Sequence, residues 1–154
     1  MVTHLLLTDT GLAQVAAVHA DDEPFPATLG WHPWFRRELD AGAPLCVELP
    51  ADRMLLRDAA GIPDGRTGPV PAGPWDDCFG GVRWPVVLRW PGALRLDVSA
   101  DTDWVVVFDE RDEAVCVEPQ TGPPDGPNLA PCLVTPDTPL VARTSWTWSV
   151  ERPA

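Results

Sequence analysis

The 154 residues of this chain suffice for a hydrophobic core, and we expect a single domain over residues 1–154. With 23 acidic and 11 basic residues, every basic one an arginine, the net charge of −12 repels polyanions and argues against a nucleic-acid partner. The apolar runs are far shorter than a membrane span and the first residues do not resemble a secretion signal, so we expect no membrane segment and a cytoplasmic location.

The predicted elements are short β-strands separated by prolines. The 19 prolines exclude long helices and favour many strands joined by turns. In chain order the clearest candidates are VTHLLL (2–7), LAQVAAVHA (12–20), LCVEL (45–49), PVVLRW (85–90), ALRLDVS (93–99), DWVVVFD (103–109) and TSWTWSVE (144–151). This pattern predicts an all-β protein, an antiparallel β-sandwich of about seven or eight strands.

Alternation within the strands predicts which side chains face the core. Leu94, Leu96 and Val98 share one face of their strand, and Trp146, Trp148 and Val150 share one face of the last strand. The more uniformly apolar runs at 85–90 and 103–109 are expected to be covered on both sides. Residues 24–39, 50–77 and 119–139 show no strand pattern and are predicted to be long, proline-stiffened loops of the kind that carry function.

Four polar side chains lie where an apolar run meets one of these loops. They are His32 in GWHPWF, Asp76 and Asp77 in PWDDCF, and Glu118 in CVEPQTG. Taken singly, such residues are more often a packed histidine, a solvated turn and the end of a strand. Five of the eight tryptophans lie near them: Trp31, Trp34, Trp75, Trp84 and Trp90. Aromatic rings beside a few polar groups are typical of sugar sites, but also of packed cores.

The cysteines give no sign of a metal site. Cys46, Cys78, Cys116 and Cys132 are widely spaced, which fits neither a zinc knuckle nor a redox pair. We interpret them as free thiols, and expect neither a metal nor another cofactor.

Three motifs, GWHPWF, DDCF and CVEPQTGPPDGPNL, occur in this order with strand sequence between them. Together they resemble the aldose 1-epimerases, also called galactose mutarotases. The last motif is similar to that family's signature around its catalytic base, and the His-Pro-aromatic-Phe run is similar to a second signature. The resemblance covers nearly the whole chain but only the carboxyl-terminal half of the family. It implies part of a galactose-mutarotase-like supersandwich.

The resemblance also implies roles for individual residues. Glu118 would be the base and His32 the acid of a reaction that opens and recloses a hexose such as glucose or galactose, and thereby interconverts its α and β anomers. Trp34 and Gln120 would contact the sugar. Because imidazole exchanges protons near neutral pH, it suits the acid role without a metal. We expect the acid and base to lie a pyranose's width apart across a groove.

An aspartate would bind sugar hydroxyls in the same interpretation. Asp76 is preferred over Asp77 because Asp76 stands three residues before Phe79, as the family's aspartate does before its phenylalanine. Both residues remain candidates for substrate binding.

The amino-terminal half of the family carries further sugar contacts that nothing here matches, so activity is expected to be impaired if half a site does not suffice. Two alternatives stay open: a non-catalytic carbohydrate-binding β-sandwich, and a hexose-6-phosphate 1-epimerase in which Arg36 and Arg37 meet the phosphate. A sandwich lacking strands exposes sheet edges, which favour self-association.

Overall fold

The computed structural model describes residues 1–151 and consists almost entirely of antiparallel β-strands. In chain order the elements are β1 (Val2–Leu7), β2 (Gly11–Val18), β3 (Phe25–Ala27), β4 (Trp34–Arg36), β5 (Cys46–Glu48), β6 (Arg53–Arg57), β7 (Pro63–Gly68), β8 (Asp76–Gly80), β9 (Val86–Trp90), β10 (Leu94–Ala100), β11 (Trp104–Phe108), β12 (Ala114–Gln120), the helix α1 (Gly126–Leu129), β13 (Cys132–Val134) and β14 (Leu140–Val150). Within residues 1–151 no helix has the length and apolar character needed to span a membrane.

The strands form two six-stranded sheets and one small ribbon. Sheet one has the order β1-β2-β14-β10-β9-β5, sheet two has the order β4-β12-β11-β8-β6-β7, and β13 pairs with β3. The central strands are the ones whose sequences alternate or are apolar throughout, because these can bury one or both faces. The edges of sheet two are the three-residue strand β4 and the polar strand β7.

The core lies between the two sheets. Leu88 and Val98 from sheet one and Phe79, Val105 and Val117 from sheet two are completely buried in one cluster. Each such side chain contributes about 1.5–3 kcal/mol through its removal from water. This contact fixes the position of β12 and β11, whose alternate residues point to the opposite, outer face of sheet two.

Several predictions from the sequence are confirmed. The protein is all-β and antiparallel, Leu96 and Val98 are buried, and Trp146 and Trp148 pack against the core. The prediction for Val150 on the face of Trp146 and Trp148 is wrong, because this last residue of β14 is 80% exposed. The run at 85–90 is covered on both sides, as its uniform apolarity indicated, because Val87 is buried as well as its neighbours.

Three other predictions are wrong. The segments 24–39, 50–77 and 119–139 contain strands β3 and β4, β6 and β7, and β13, so the strands outnumber the predicted seven or eight. Strands of three residues are too short to show alternation, and β7 is a polar edge strand. The run at 103–109 is covered on one side only. Val105 and Val107 enter the core, whereas Val106 and Phe108 line a groove.

Candidate functional site

A groove with a volume of about 390 Å³ crosses the outer face of sheet two. The two-residue period of β12 places Val115 and Val117 in the core and turns Glu118 and Gln120 toward the groove. The groove is lined by His32, Trp34, Asp76, Val106, Phe108, Arg111, Glu118, Gln120 and Pro124. The groove therefore brings together five predicted site residues from three distant segments of the sequence: His32, Trp34, Asp76, Glu118 and Gln120.

His32 and Glu118 are in direct contact in the groove. His32 Nε2 lies 3.2 Å from Glu118 Oε1, and the side chains are 64% and 8% exposed, respectively. The sequence-based expectation of a pyranose's width between them is wrong. Both groups act from the same face of sheet two, so they reach neighbouring atoms of a bound molecule rather than its opposite sides.

Cys116 holds the other side of the imidazole. Cys116 Sγ lies 3.1 Å from His32 Nδ1 and donates its S–H to the Pro33 carbonyl oxygen at 2.9 Å. A thiol has a single hydrogen, so the sulfur accepts from Nδ1–H. With Nδ1 protonated, only a second proton on Nε2 makes a favourable contact with the Glu118 carboxylate. The geometry therefore fits an imidazolium that faces a carboxylate.

Backbone contacts bring the histidine segment to the end of β12. The Thr121 N–H donates to the Leu29 carbonyl, and the Trp31 N–H donates to the Pro119 carbonyl. Gly30 lies between these contacts, and a Cβ there would meet Gln120 Cγ at 2.9 Å, so only glycine allows this approach. The close fit explains why glycine precedes the Trp-His pair in GWHPWF.

Gln120 supports the carboxylate from the side opposite the imidazole. Its amide donates from Nε2 to Glu118 Oε2 at 3.1 Å. Each carboxylate oxygen of this nearly buried side chain therefore has a partner, which offsets part of the cost of taking the charge out of water. The following turn is braced by a hydrogen bond from Asn128 Nδ2 to Asp125 Oδ1. It carries Pro124 to the rim of the groove.

One tryptophan of the five near the polar groups lines the groove. Trp34 is 47% exposed, and the centroid of its ring lies 5.7 Å from that of His32 and 5.8 Å from that of Phe108. Of the other four, Trp90 is buried, and three are partly buried and pack against the core clusters: Trp31, Trp75 and Trp84. Most of the tryptophan clustering is therefore core packing, and the aromatic wall of the groove comes from Trp34 and Phe108.

The two aspartates differ in position. Asp76 lines the groove together with Glu118, whereas Asp77 lines a neighbouring cavity. Both pair with Arg57, whose guanidinium nitrogens lie 3.5 Å from Asp76 Oδ2 and 3.0 Å from Asp77 Oδ1. Asp76 is thus the aspartate placed to contact a molecule that also contacts Glu118.

A metal ion fits this site poorly, although His32, Cys116 and Glu118 have potential ligand atoms within 4.8 Å of one another. The sulfur contacts Nδ1 and the carboxylate contacts Nε2. The two ring nitrogens point in different directions, so one tetrahedral ion cannot take all three ligands in this arrangement.

The buried thiols are held protonated. Burial raises the pKa of Cys116, and the negative charge of Glu118 raises it further. Burial, with smaller contributions from the charges of Asp77 and Glu118, raises the pKa of Cys78 to about 12. Cys46 and Cys132 are exposed. Cys116 is therefore a hydrogen-bonding neighbour of His32 and a poor nucleophile.

Four residues that line the groove were not predicted as site residues: Val106, Phe108, Arg111 and Pro124. Val106 and Phe108 were interpreted as core residues, because an apolar run does not distinguish a covered face from the apolar wall of a groove. Their position next to Glu118 follows from strand pairing, in which Val106 lies opposite Glu118 and Phe108 opposite Cys116.

No protein-family model and no curated protein matches this sequence. Several solved structures do match. A galactose mutarotase-like protein from Clostridium acetobutylicum gives a TM-score of 0.80 at 16% identity, over 95% of this chain and 54% of that chain. The GalM/aldose epimerase homologue from C. elegans gives 0.77 at 15%, over 96% and 59%. A galactose mutarotase related enzyme from Lactobacillus acidophilus gives 0.73 at 20%, over 96% and 60%.

These similarities define the class of fold. The chain is a β-sandwich of the galactose mutarotase-like type, which confirms the fold that the sequence motifs implied. Solved structures of aldose epimerase-like proteins share this fold at identities of 15–20%. The chain spans 54–60% of the length of these three structures.

Proposed function

We propose that this protein is an aldose 1-epimerase, which interconverts the α and β anomers of a hexose such as glucose or galactose. The observation that carries the proposal is the contact between a nearly buried carboxylate and an exposed imidazole, Glu118 and His32, in a groove with the aromatic wall of Trp34. Sugars bind where apolar walls meet a few placed polar groups. The fold class agrees with this activity.

The short distance between the two groups suits the reaction. The anomeric hydroxyl oxygen and the ring oxygen of a pyranose are bonded to the same carbon, so they are closer together than two hydrogen-bonded atoms. A base and an acid that contact them must therefore end close to each other as well, as Glu118 Oε1 and His32 Nε2 do at 3.2 Å. Each then lies within hydrogen-bonding reach of its target oxygen.

The proton transfers balance within this pair. Glu118 takes the proton of the anomeric hydroxyl, His32 gives the Nε2 proton to the ring oxygen, and the bond between that oxygen and the anomeric carbon breaks. The open aldehyde rotates by half a turn about the neighbouring carbon–carbon bond. Protonated Glu118 then returns its proton to the carbonyl oxygen, while neutral His32 takes the proton from the attacking hydroxyl, and the ring closes as the other anomer.

The remaining groups of the groove orient the sugar. Trp34 offers a ring face to the C–H surface of the pyranose, and Asp76 accepts hydrogen bonds from hydroxyl groups at the end distant from Glu118. Gln120 fixes the orientation of the Glu118 carboxylate. Placing the substrate against an ordered acid and base supplies a large part of the rate enhancement.

A sugar-binding sandwich without turnover is the second candidate. The chain spans 54–60% of the length of the mutarotase-like structures, and a reduced set of sugar contacts favours binding over catalysis. A binder changes its tryptophan fluorescence with sugar and keeps its affinity in Glu118→Gln, but leaves mutarotation at the spontaneous rate.

A hexose phosphate is less well supported. Arg37, proposed from the sequence to meet a phosphate, donates instead to the carbonyls of Arg111 and Asp109, and neither it nor Arg36 is among the residues that line the groove. Arg111 lines the groove but follows Asp109 and Glu110 and pairs with Glu113 at 3.6 Å. This acidic surrounding disfavours a phosphate. Tighter competition by hexose 6-phosphate than by free hexose would reverse the ranking.

We also propose that the protein self-associates through sheet one. Strand β1 is an edge strand exposed along its whole length, and Leu5, Leu6 and Leu7 are largely in water. Such an apolar edge offers free backbone groups to a second strand. Light scattering is expected to show a mass that rises with concentration, and a constant monomer mass over a wide range would contradict this.

Polarimetry tests the epimerase directly. Freshly dissolved α-glucose and α-galactose should reach their equilibrium rotation faster with the protein than in buffer, in proportion to protein concentration. The matched control is the double variant His32→Asn with Glu118→Gln. If the wild type and this control both follow the spontaneous rate, the proposal is wrong for this chain.

A further inference from the structure

Among residues 1–151, Arg111 is the only arginine that lines the groove, and the epimerisation step described above does not use it. It lies in the turn of residues 109–113, which joins β11 to β12. Its side chain is 59% exposed, and its Nη1 lies 3.6 Å from Glu113 Oε1. This distance is longer than a hydrogen bond, so the N–H groups of the guanidinium are available to a bound molecule.

Arg37 holds the backbone of this turn in place. Its Nε donates to the Arg111 carbonyl at 3.0 Å, its Nη2 donates to the Asp109 carbonyl at 2.6 Å, and its backbone N–H donates to the Glu113 carbonyl at 3.0 Å. Arg37 directly follows β4, the strand that carries Trp34. The turn is therefore anchored to the β4 side of the groove, and Arg111 enters the groove from the same side as Trp34.

The acid and the base orient a bound pyranose along the groove. With its anomeric hydroxyl at Glu118, the ring oxygen of the sugar lies at His32 Nε2. The ring oxygen is bonded to the anomeric carbon and to C5, and C5 carries the C6 hydroxymethyl group. C5 and C6 therefore lie on the His32 side of the anomeric carbon. The imidazole extends from Glu118 to Cys116, which is two residues closer to the turn of Arg111.

The distances fit a contact between Arg111 and the C6 hydroxyl. Antiparallel strands rise about 3.4 Å per residue, so Ala114, the first residue of β12, lies about 14 Å from Glu118. An arginine side chain built from bonds of about 1.5 Å reaches roughly 7 Å from the turn toward Glu118. In a pyranose with similar bonds the C6 hydroxyl lies roughly 6 Å from the anomeric hydroxyl, which covers most of the remaining distance.

The charges of the turn favour a neutral group over an anion. Its five residues, DERDE, carry four carboxylates and one guanidinium, a net charge of −3. A phosphate or a carboxylate at C6 would be repelled by this charge. A hydroxyl accepts a hydrogen bond from the guanidinium without adding charge, so the group that fits here is the neutral hydroxymethyl group of a hexose.

We propose that Arg111 is a specificity-determining residue of the groove. It donates a charge-assisted hydrogen bond to the C6 hydroxyl of a neutral aldohexose, and thereby selects aldohexoses over pentoses and over 6-deoxyhexoses. The proposal rests on the proposed epimerase function for the placement of the anomeric carbon at Glu118. It deepens that function, because neither the acid–base pair nor Trp34 distinguishes a hydroxymethyl group from a methyl group at C6.

Three sugars that differ only at C6 test this role. Glucose has a hydroxymethyl group at C5, 6-deoxyglucose a methyl group and xylose a hydrogen. Their dissociation constants are measured by calorimetry and their anomer exchange by NMR, for the wild type, for Arg111→Met and for the control Arg143→Met. Methionine keeps much of the aliphatic stem and removes every N–H donor. Arg143 is a matched control because its side chain is 62% exposed and pairs with one carboxylate, Asp101, but lies in sheet one.

The wild type and Arg143→Met are expected to bind glucose about tenfold more tightly than either analogue, a difference of about 1.4 kcal/mol. This preference is at the low end for a hydrogen bond to a charged group because Arg111 is exposed. Arg111→Met should reduce the preference to about twofold or less.

Equal binding of the three sugars by the wild type, or an undiminished preference in Arg111→Met, would overturn the role of Arg111. A preference over xylose but not over 6-deoxyglucose would overturn it as well, because the contact at C6 would then be apolar. In each of these cases, exchange faster than the spontaneous rate leaves the epimerase standing. An Arg111-dependent preference in binding, with exchange only at the spontaneous rate, would support the role of Arg111 and overturn the epimerase. No detectable binding of any of the three sugars would overturn both.

Discussion

Replacing Glu118 by glutamine removes the charge of the proposed base and keeps its size. The side chain is 8% exposed, so water has little access to take over the role of the base. Asp76, the other carboxylate of the groove, lies in β8, two strand intervals or about 10 Å from β12. No second carboxylate of the groove is therefore near enough to substitute. Loss of a general base costs a factor of about 10²–10⁴ in rate, which corresponds to about 2.7–5.5 kcal/mol in the barrier.

The fold and the sugar affinity of Glu118→Gln should change little. The amide oxygen of the new glutamine still accepts from His32 Nε2–H, and its NH2 group can donate to the side-chain oxygen of Gln120 once the Gln120 amide turns over, so both neighbours of the carboxylate keep a hydrogen bond in weaker form. Polarimetry over a range of sugar concentrations should show kcat reduced at least about 100-fold with KM within about threefold of the wild type. Retention of more than about a third of the wild-type kcat would refute the role of Glu118 as the base.

Four further outcomes are expected. Cys116→Val removes the acceptor of His32 Nδ1–H, so kcat should fall about tenfold with an altered pH profile, and Cys116→Ser should restore both, because a hydroxyl makes both contacts. Trp34→Ala removes the ring on which the sugar is proposed to stack, so KM should rise about fivefold to tenfold with little change in kcat. At pH 8, a thiol reagent should label the two exposed cysteines and spare Cys78 and Cys116 until the protein unfolds, since a pKa of about 12 leaves about one Cys78 thiolate in 10⁴. Above pH 9 the unfolded chain loses the Cys78 proton that the folded protein keeps, so urea titrations should show stability falling by about 1.4 kcal/mol per pH unit for this thiol until about pH 12.

The sequence predicted the parts of the fold that depend on local alternation. β10 and β14 were recognised with their buried faces, because seven or more residues of alternating polarity identify a half-buried strand. The strands β3, β4 and β13 were missed. Each has three residues, and their pairing depends on partners far away in the chain, such as Phe35 opposite Val115.

The motifs named the candidate residues of the site but not how they are arranged. His32 and Glu118 are 86 positions apart, and their contact depends on the pairing of residues 29–31 with the end of β12. No local pattern carries that information, which is why a pyranose's width between them was expected. The role of Cys116 was hidden for the same reason. In the sequence it alternates like a core residue, and only the fold places it against the imidazole.

The central claim is that His32 and Glu118 together open and reclose a sugar ring. Exchange spectroscopy on an equilibrium mixture of hexose anomers labelled with ¹³C at the anomeric carbon measures this interconversion directly. We expect cross-peaks between the α and β signals that grow with wild-type protein concentration and decrease at least about 100-fold in rate in Glu118→Gln. Exchange no faster than in buffer, or exchange that is equally fast with the His32→Asn and Glu118→Gln double variant, would contradict the claim.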